Sequence, residues 1–269
     1  MILANNMILN LIGEAKVSVS WVLCTNRDDA LLRRAIDSCL CQTYEDFELV
    51  LVVNGEECRE IASELTSIYA SDPRVKVHHT AVRLLNYSLS WGVHMASGEF
   101  IARMDSDDIS DPMRLERQVA FMRAHPDVAV LGSAYQFIDD ESNPLGMVKE
   151  PVDDLSIRRS LYYRNPICHP SAMLRRNVIA QLGGYLGGQN AEDYDLWLRV
   201  CMLPDWKFAN LDDCLLSYRH APGEARRSRR AYANLAGAQL RNFLLTRNPM
   251  WLLGASLSMG RAFLRATRD

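Results

Sequence analysis

The chain has 269 residues, of which 48% are hydrophobic and 23% are charged, and its formal net charge is -3. This composition supports a substantial core in one large α/β domain with an appendage, or in two small domains. It excludes the strongly basic charge balance that attracts phosphates, so we expect no nucleic-acid partner. The seven cysteines form no C-x-x-C pair, which favours reduced thiols in a cytosolic setting.

The first 16 residues, MILANNMILNLIGEAK, predict an extension outside the main fold. They lack the positive n-region of a secretory signal, and asparagines interrupt their apolar residues. The chain contains no run of 18 or more apolar residues, so we expect no membrane-spanning helix. These features indicate a cytoplasmic protein.

Strands and helices alternate through the first 104 residues. Apolar and β-branched stretches predict strands at 17–23, 47–53, 75–79 and 99–104, and apolar residues at helical spacing predict helices at 30–40, 61–68 and 85–93. Such alternation predicts an α/β fold with a Rossmann-like, mostly parallel sheet flanked by helices. Ligands of these sheets bind beyond the carboxyl ends of the strands. We therefore expect one crevice where three strand ends converge: Thr25-Asn26, Asn54-Gly55 and Asp105-Ser106-Asp107.

The second half of the chain is less regular. Leu115, Val119 and Met122 predict a helix that follows Asp111-Pro112. Further on, the sequence predicts one or two strands at 128–139, a loop leading into a short helix at 163–176, a mobile glycine-rich loop at 183–190, and a helix that begins at 191 with acids in its first turn. Pro249 should divide the basic, intermittently apolar end of the chain into two helices.

A cluster of aspartates follows the strand at 99–104: Asp105, Asp107, Asp108 and Asp111. Carboxylates repel one another and resist burial, so this crowding needs a cause. The residues alone leave two interpretations open. The Asp-x-Asp could share Mg²⁺ or Mn²⁺ with a diphosphate, or the stretch could be a solvated turn with an aspartate capping the next helix. Asp111 suits the cap, since Pro112 follows it.

Five stretches, in this order and at this spacing, resemble the family 2 glycosyltransferases: CTNR, SCLCQTYEDFELVLVVNG, ASGEFIARMDSDDISDPMRLERQ, NPICHPSAMLRR, and AEDYDLWLR with LLSYRH. The resemblance covers about 17–220 and implies the GT-A fold and an inverting, metal-dependent enzyme. It implies transfer of a sugar from a nucleotide diphosphate donor to an acceptor hydroxyl, in the synthesis of a bacterial cell-surface polysaccharide or lipid-linked oligosaccharide. We therefore expect an extension at 1–16, a GT-A domain at 17–220 and a basic amphipathic helical tail at 221–269.

The resemblance also assigns the donor side. Asp107 is expected to hold Mn²⁺ or Mg²⁺, and Asp105 to reach either the ribose or the metal. Asn54 stands where relatives usually have an aspartate that binds the base, and Ser90 stands where they have an asparagine, for which Arg83 or Asn86 could compensate. A UDP-sugar is favoured. The other expected donor contacts are Thr25, Asn26, Arg27, Ser106 and Asp108.

On the acceptor side, the resemblance points to Glu192-Asp193, with Asp193 as the base and Glu192 orienting the acceptor or Asp193. Acids also suit the start of a helix for structural reasons, and Asp195 fits that alternative best. His220 matches a histidine that reaches the metal or diphosphate, although a lone histidine more often has a packing role. His169 and Arg175 match an acceptor-side loop, where a structural role is equally open.

The tail allows two interpretations. Basic residues beside an aromatic and aliphatic stripe over 226–265 suit a helix on an anionic membrane surface, close to a lipid-linked acceptor. The same stripe would suit packing on the catalytic domain or on a second copy of the chain.

Two other functions compete with glycosyl transfer. A sugar nucleotidyltransferase should have a glycine-rich, basic loop after its first strand, but CTNRDDALLRR contains no glycine. A non-catalytic sugar-nucleotide or glycan-binding module would need no base, so Glu192-Asp193 counts against it.

Overall fold

The computed structural model describes residues 17–220 and 228–266, with side chains as far as 264. The expected extension at 1–16 lies outside the described residues, as do Arg226 and Arg227.

The first half of the chain builds the parallel sheet that the sequence predicts. Its strands are β1 (Val17–Thr25), β2 (Phe47–Asn54), β3 (Val75–Thr80) and β4 (Gly98–Met104). They lie in the order β3-β2-β1-β4, and every neighbouring pair is parallel. All eight residues of β2 are buried, as its continuous apolar pattern predicts for a strand covered on both faces. The carboxyl ends of all four strands therefore meet at one edge.

The second half makes the sheet mixed. Its strands are β5 (Ile109–Ser110), β6 (Val128–Ile138), β7 (Pro144–Val148), β8 (Met173–Arg175) and β9 (Lys207–Arg219). Strand β8 is antiparallel to both β4 and β6 and joins them. Strand β6 runs parallel to β9, and β5 and β7 add antiparallel pairs. Residues 128–139 thus form one long strand, and the predicted loop at 163–176 contains a three-residue strand too short to show a pattern.

Nine α-helices and a 3-10 helix at His169–Ser171 complete the part of the chain that the structure describes. The α-helices are α1 (Ala30–Leu40), α2 (Cys58–Ile68), α3 (Leu85–Met95), α4 (Arg114–Ala124), α5 (Asp154–Ser160), α6 (Arg176–Gln181), α7 (Glu192–Val200), α8 (Arg229–Thr246) and α9 (Pro249–Ala266). The Asp29 side chain caps α1 by accepting the Leu32 N–H at 2.9 Å. The expected cap at Asp111 is wrong: its carboxylate accepts the Met113 N–H at 2.8 Å, in a turn that precedes α4.

Two buried clusters cover the two faces of the sheet. Side chains of β1 alternate between them, with Trp21 and Leu23 in one cluster and Val22 and Cys24 in the other. Trp197 is fully buried in the second cluster. Because both faces are covered, the strand ends are the part of the sheet that a ligand can approach.

Helices α8 and α9 form the hairpin that Pro249 predicts. Between them, Arg247 ends α8 in the left-handed conformation, with φ at 58°. The hairpin is fixed to the rest of the fold where Gln239 Nε2 donates to Tyr162 O at 2.8 Å and Asn242 Nδ2 donates to Leu198 O at 3.0 Å. Within the described residues, no helix has the length and apolar character needed to cross a membrane.

Candidate active site

A cavity of about 810 Å³ opens where the strand ends converge. It contains five of the side chains that the sequence singles out: Asp105, His169, Glu192, Asp193 and His220. A second cavity, of about 290 Å³, is lined by Arg83 and shares Leu85, Asn190 and Glu192 with the first. The predicted crevice therefore exists, and it holds residues from both halves of the chain.

The positive charge beside the aspartate cluster is that of Arg103, the second-to-last residue of β4. Its side chain is only 2% exposed, and its Nη2 lies 2.5 Å from Asp105 Oδ1. Among the described residues, its Nε and Nη1 have no hydrogen-bond partner, and the side chain lines the large cavity. No sequence motif marks Arg103, although an arginine inside the otherwise apolar stretch FIARM is a signal that could have identified it.

Asp107 lies in the turn after β4, beside the partly exposed Ser106. The Asp107 side chain is 39% exposed, and its Oδ2 lies 3.6 Å from Arg27 Nη2. Burial, together with the neighbouring charge of Asp105, raises the pKa of the Asp107 carboxyl. The Asp107 carboxylate is therefore accessible, and a bound cation would offset the repulsion between its charge and that of Asp105.

Asp108 faces inward. Its Oδ1 accepts the backbone N–H of Arg219 at 2.8 Å, and its buried Oδ2 has no partner among the described residues. Burial and the charge of Asp105 raise the pKa of Asp108 well above its ordinary value. With 1% of its surface exposed, Asp108 fixes the turn against β9 and does not present its carboxylate to a donor sugar, contrary to the expectation.

The residues expected beside the nucleotide meet at the edge of the sheet. Thr25 and Asn54 are buried at the ends of β1 and β2. Gly55 follows with φ at +105°, and a Cβ atom there would lie 3.9 Å from the side chain of Arg83 and 4.0 Å from Asn26 Cβ. Asn26, Gly55 and Arg83 are therefore neighbours although they come from three separate loops.

The glycine-rich loop at 183–190 is fixed by residues of α3. Ser90 Oγ accepts the N–H of Tyr185 at 3.0 Å and donates to its carbonyl at 3.1 Å. Asn86 Nδ2 donates to Gly187 O at 3.1 Å. The Asn86 amide is therefore used by the loop. Arg83, the other side chain expected to compensate for Ser90, makes no such bond to the loop and lines the second cavity.

The acidic pair lies at the start of α7. Asp193 Oδ2 accepts a hydrogen bond of 2.7 Å from Asn165 Nδ2. Asn165 was not predicted as a site residue, although it opens the NPICHP stretch. Burial, with the charge of Asp193, raises the pKa of Glu192. Asp195 instead forms 2.8 Å ion pairs with Arg199 and Arg241, which agrees with the structural interpretation.

Of the two residues expected in the acceptor-side loop, His169 and Arg175, only His169 reaches the cavity. His169 Nε2 and the Tyr185 hydroxyl are hydrogen-bonded at 2.9 Å, and desolvation lowers the pKa of His169 well below its ordinary value. Arg175 lines neither cavity and binds Val128 O, Met122 O and Glu99. Since β8 is antiparallel to β4, its carboxyl end lies beside Phe100, far from the strand ends. The placement of Arg175 on the acceptor side is wrong.

The cavity residues fit a divalent cation only in part. Among the residues that the structure describes, no three His, Cys, Asp or Glu side chains are grouped as metal ligands. Mg²⁺ is commonly held by one or two carboxylates plus substrate phosphates. Asp105, which lines the cavity, and the partly exposed Asp107, which follows it in the turn and lines neither cavity, suit that arrangement. His220 lines the same cavity as Asp105, with its ring 5.0 Å from the ring of Phe137.

Known proteins resemble this chain in sequence and in fold. The model of the family described as Glycosyl transferase family 2 matches residues 20–183. The chain is 37% identical over 230 residues to the O-antigen biosynthesis glycosyltransferase WbnJ of Escherichia coli, covering 85% of this chain and 90% of that protein. It is 30% identical over 188 residues to the amylovoran biosynthesis glycosyltransferase AmsE of Erwinia amylovora, covering 70% of each.

Two solved structures share the fold at low identity. The S. aureus TarS 1-349 complex with UDP-GlcNAc has a TM-score of 0.65 at 18% identity, over 83% of this chain and 66% of that one. The mannosyltransferase PcManGT of Pyrobaculum calidifontis, in complex with GDP-Man and Mn²⁺, has a TM-score of 0.64 at 16% identity, over 99% of this chain and 81% of that one. The fold is that of the GT-A glycosyltransferases, and the chain belongs to glycosyl transferase family 2.

Proposed function

We propose that the chain transfers a sugar, with inversion, from a nucleotide diphosphate donor to a hydroxyl of a glycan or lipid-linked glycan in cell-surface polysaccharide synthesis. The observation that carries the proposal is that Asp105, on the donor side, and Asp193, the candidate base, line one cavity. The likeness to WbnJ and AmsE supports the polysaccharide context. In this proposal, residues 17–220 carry the chemistry.

The nucleotide would lie along Thr25, Asn26, Arg27, Asn54 and Arg83, with a UDP-sugar as the favoured donor. Asp105 and Asp107 would hold the diphosphate through Mn²⁺ or Mg²⁺, with His220 as a further ligand. When bound, such a cation offsets the charge that develops on the leaving diphosphate. Arg103 holds the Asp105 carboxylate in position from below, which keeps it directed at the cavity.

Asp193 would accept the proton of the acceptor hydroxyl. The freed oxygen electron pair forms the new bond to the anomeric carbon, while the bond from that carbon to the diphosphate oxygen breaks and its electrons leave with the diphosphate. Asn165 occupies Asp193 Oδ2, which leaves Oδ1 for the proton. Glu192, which lines the same cavity, would orient the acceptor or Asp193.

Asp193→Asn tests the proposal. The variant cannot take the proton, so we expect its turnover to fall at least about 100-fold while the dissociation constant for a nucleotide donor, measured by calorimetry with Mn²⁺, stays within about twofold. The matched control is Asp213→Asn, an exposed aspartate that lines neither cavity. Near-normal turnover in Asp193→Asn would remove it as the base. Donor binding without transfer to any acceptor in a broad panel would favour a binding module.

We also propose that the tail rests on an anionic membrane surface. Residues 228–266 contain six arginines and no aspartate or glutamate. A ridge of exposed apolar side chains runs along α9: Leu252, Leu253, Leu257, Phe263 and Leu264. Anionic headgroups complement the positive charge of this segment.

A further inference from the structure

Three aromatic rings stand side by side in the large cavity. Tyr135 and Phe137 lie on the same face of β6, two residues apart, and Tyr218 is the partner of Phe137 on β9. Their ring centroids are 5.4 to 6.0 Å apart, and the rings meet edge to face. We call these three residues the aromatic wall. All three line the cavity that also contains Asp193.

The aromatic wall is not simply part of the core. Each of its residues is partly exposed. Tyr135 and Tyr218 pack against the first buried cluster, whereas Phe137 packs against neither of the two clusters formed by the described residues. The ring neighbours of Phe137 are Tyr135, Tyr218 and His220, all of which line the cavity. Phe137 therefore presents an apolar surface to whatever fills the cavity.

The same cavity contains carboxylates. Glu150 lines it and is fixed by an ion pair of 2.5 Å between its Oε2 and Arg164 Nη1, which leaves Oε1 available. Asp193 is fixed by the hydrogen bond that its Oδ2 accepts from Asn165. The cavity thus combines an apolar aromatic surface with carboxylate oxygens whose positions are set by a second residue. A ligand that matches it needs an apolar face and several hydroxyl groups.

A pyranose ring has both features, because its axial C–H bonds form an apolar face and its hydroxyls lie around the edge. We propose that the aromatic wall is the subsite for the acceptor sugar, which packs one face against Phe137 and its neighbours. In this position one hydroxyl reaches Asp193 and another donates to Glu150. The inference rests on the proposed function, and it assigns to β6 and β9 the recognition of the acceptor.

The test compares Phe137→Ala with Trp91→Ala. Trp91 is an exposed aromatic residue that stacks on Tyr87 and lines neither cavity, so it is the matched control. The acceptors are n-octyl glycosides of glucose, galactose and their N-acetylated forms, offered with UDP-sugars. We expect Phe137→Ala to raise the acceptor KM roughly five- to tenfold, with the donor KM within about twofold of its original value and the melting temperature lowered by only a few degrees. Trp91→Ala should leave all three values unchanged.

An unchanged acceptor KM in Phe137→Ala, or an equal rise in Trp91→Ala, would overturn the subsite while leaving glycosyl transfer intact. Absence of transfer by the unmodified chain would instead count against the proposed function. In that case, saturation-transfer NMR of the same octyl glycosides with UDP present decides the inference. Ring-proton signals that weaken in Phe137→Ala support the subsite, and absent or equal signals refute it.

Discussion

Arg103 and the aspartates above it show how this site concentrates charge at the level of single residues. One buried guanidinium pairs with Asp105, while Asp107 and Asp108 stay close by and have raised pKa values. An acid whose pKa is higher in the folded than in the unfolded chain binds its proton more tightly when folded. For each of these two groups, the free energy of unfolding should therefore rise as the pH falls from the pKa of the folded chain to the lower pKa of the unfolded chain.

Asp108→Asn should remove much of this pH dependence. The amide oxygen can still accept the Arg219 N–H, but the group no longer titrates. In urea denaturation between pH 4 and 8, we expect the free energy of unfolding of the variant to lose a slope of up to about 1.4 kcal/mol per pH unit. Asp213→Asn, an exposed substitution, is the control. Parallel curves for Asp108→Asn and the unmodified chain would contradict this account of the cluster.

Asn165 is a positioning residue, since it acts through Asp193. Removing its amide in Asn165→Ala frees the Asp193 carboxylate to rotate, so we expect kcat to fall about tenfold or more while the donor KM stays unchanged. Steady-state kinetics with the donor and acceptor varied in turn would separate the two constants. Asn143→Ala is the control, because Asn143 bonds Asp139 in an exposed turn. A change confined to the donor KM would refute the positioning role.

Sequence motifs identify groups that act at the end of a strand or helix, but not groups whose role depends on distant partners. Asp105 and Asp193 were predicted and do line one cavity. Arg103 and Asn165 were not, because each matters only through the carboxylate that folding brings beside it. Arg175 was misplaced since the direction of a three-residue strand leaves no trace in the sequence.

At the scale of elements, the glycine-rich loop connects the donor and acceptor sides. Gly183 and Gly184 have φ angles of +78° and +76°, which allow the chain to turn back toward α7. Arg199 of α7 donates to Leu182 O at 2.8 Å and to Gly184 O at 2.7 Å. The loop was predicted to be mobile, and closure over a bound donor stays a prediction. Its first half is held by α3 and α7 together.

Two glycine-to-alanine variants test whether the loop requires the left-handed backbone conformation at Gly184. Gly184→Ala would place a Cβ 3.0 Å from Ser90 Oγ in a left-handed conformation, so we expect it to lower the free energy of unfolding by about 1–2 kcal/mol. Gly237→Ala, in the open middle of α8, should raise it by about 0.5–1 kcal/mol. Chemical denaturation of both variants checks the signs. A neutral or stabilising Gly184→Ala would show that the loop does not require glycine there.

At the scale of the whole molecule, the two halves of the sheet differ in how readily the sequence reveals them. The parallel half was predicted from strand–helix alternation, which indicates a parallel sheet with one edge, at the carboxyl ends of its strands, where a ligand can bind. The mixed half depends on β8, which enters between β4 and β6 through pairings that no local pattern encodes. The hairpin α8–α9 was predicted from Pro249, and Ser228, which caps α8, lines the large cavity.

The membrane proposal predicts a charge-dependent association. Phe263 and Leu264 are 68% and 71% exposed beside a stretch without acidic residues, so we expect the chain to co-sediment with phosphatidylglycerol vesicles, weakly with phosphatidylcholine vesicles, and less in high salt. Leu253→Glu with Phe263→Glu should abolish sedimentation by placing carboxylates on the apolar ridge. The control is Met147→Glu, which introduces the same charge at an exposed apolar residue of β7, away from the hairpin. Equal sedimentation of the double variant and the control would refute the membrane face. If the unmodified chain forms a concentration-dependent dimer and the double variant stays monomeric, the partner of this face is a second copy of the chain.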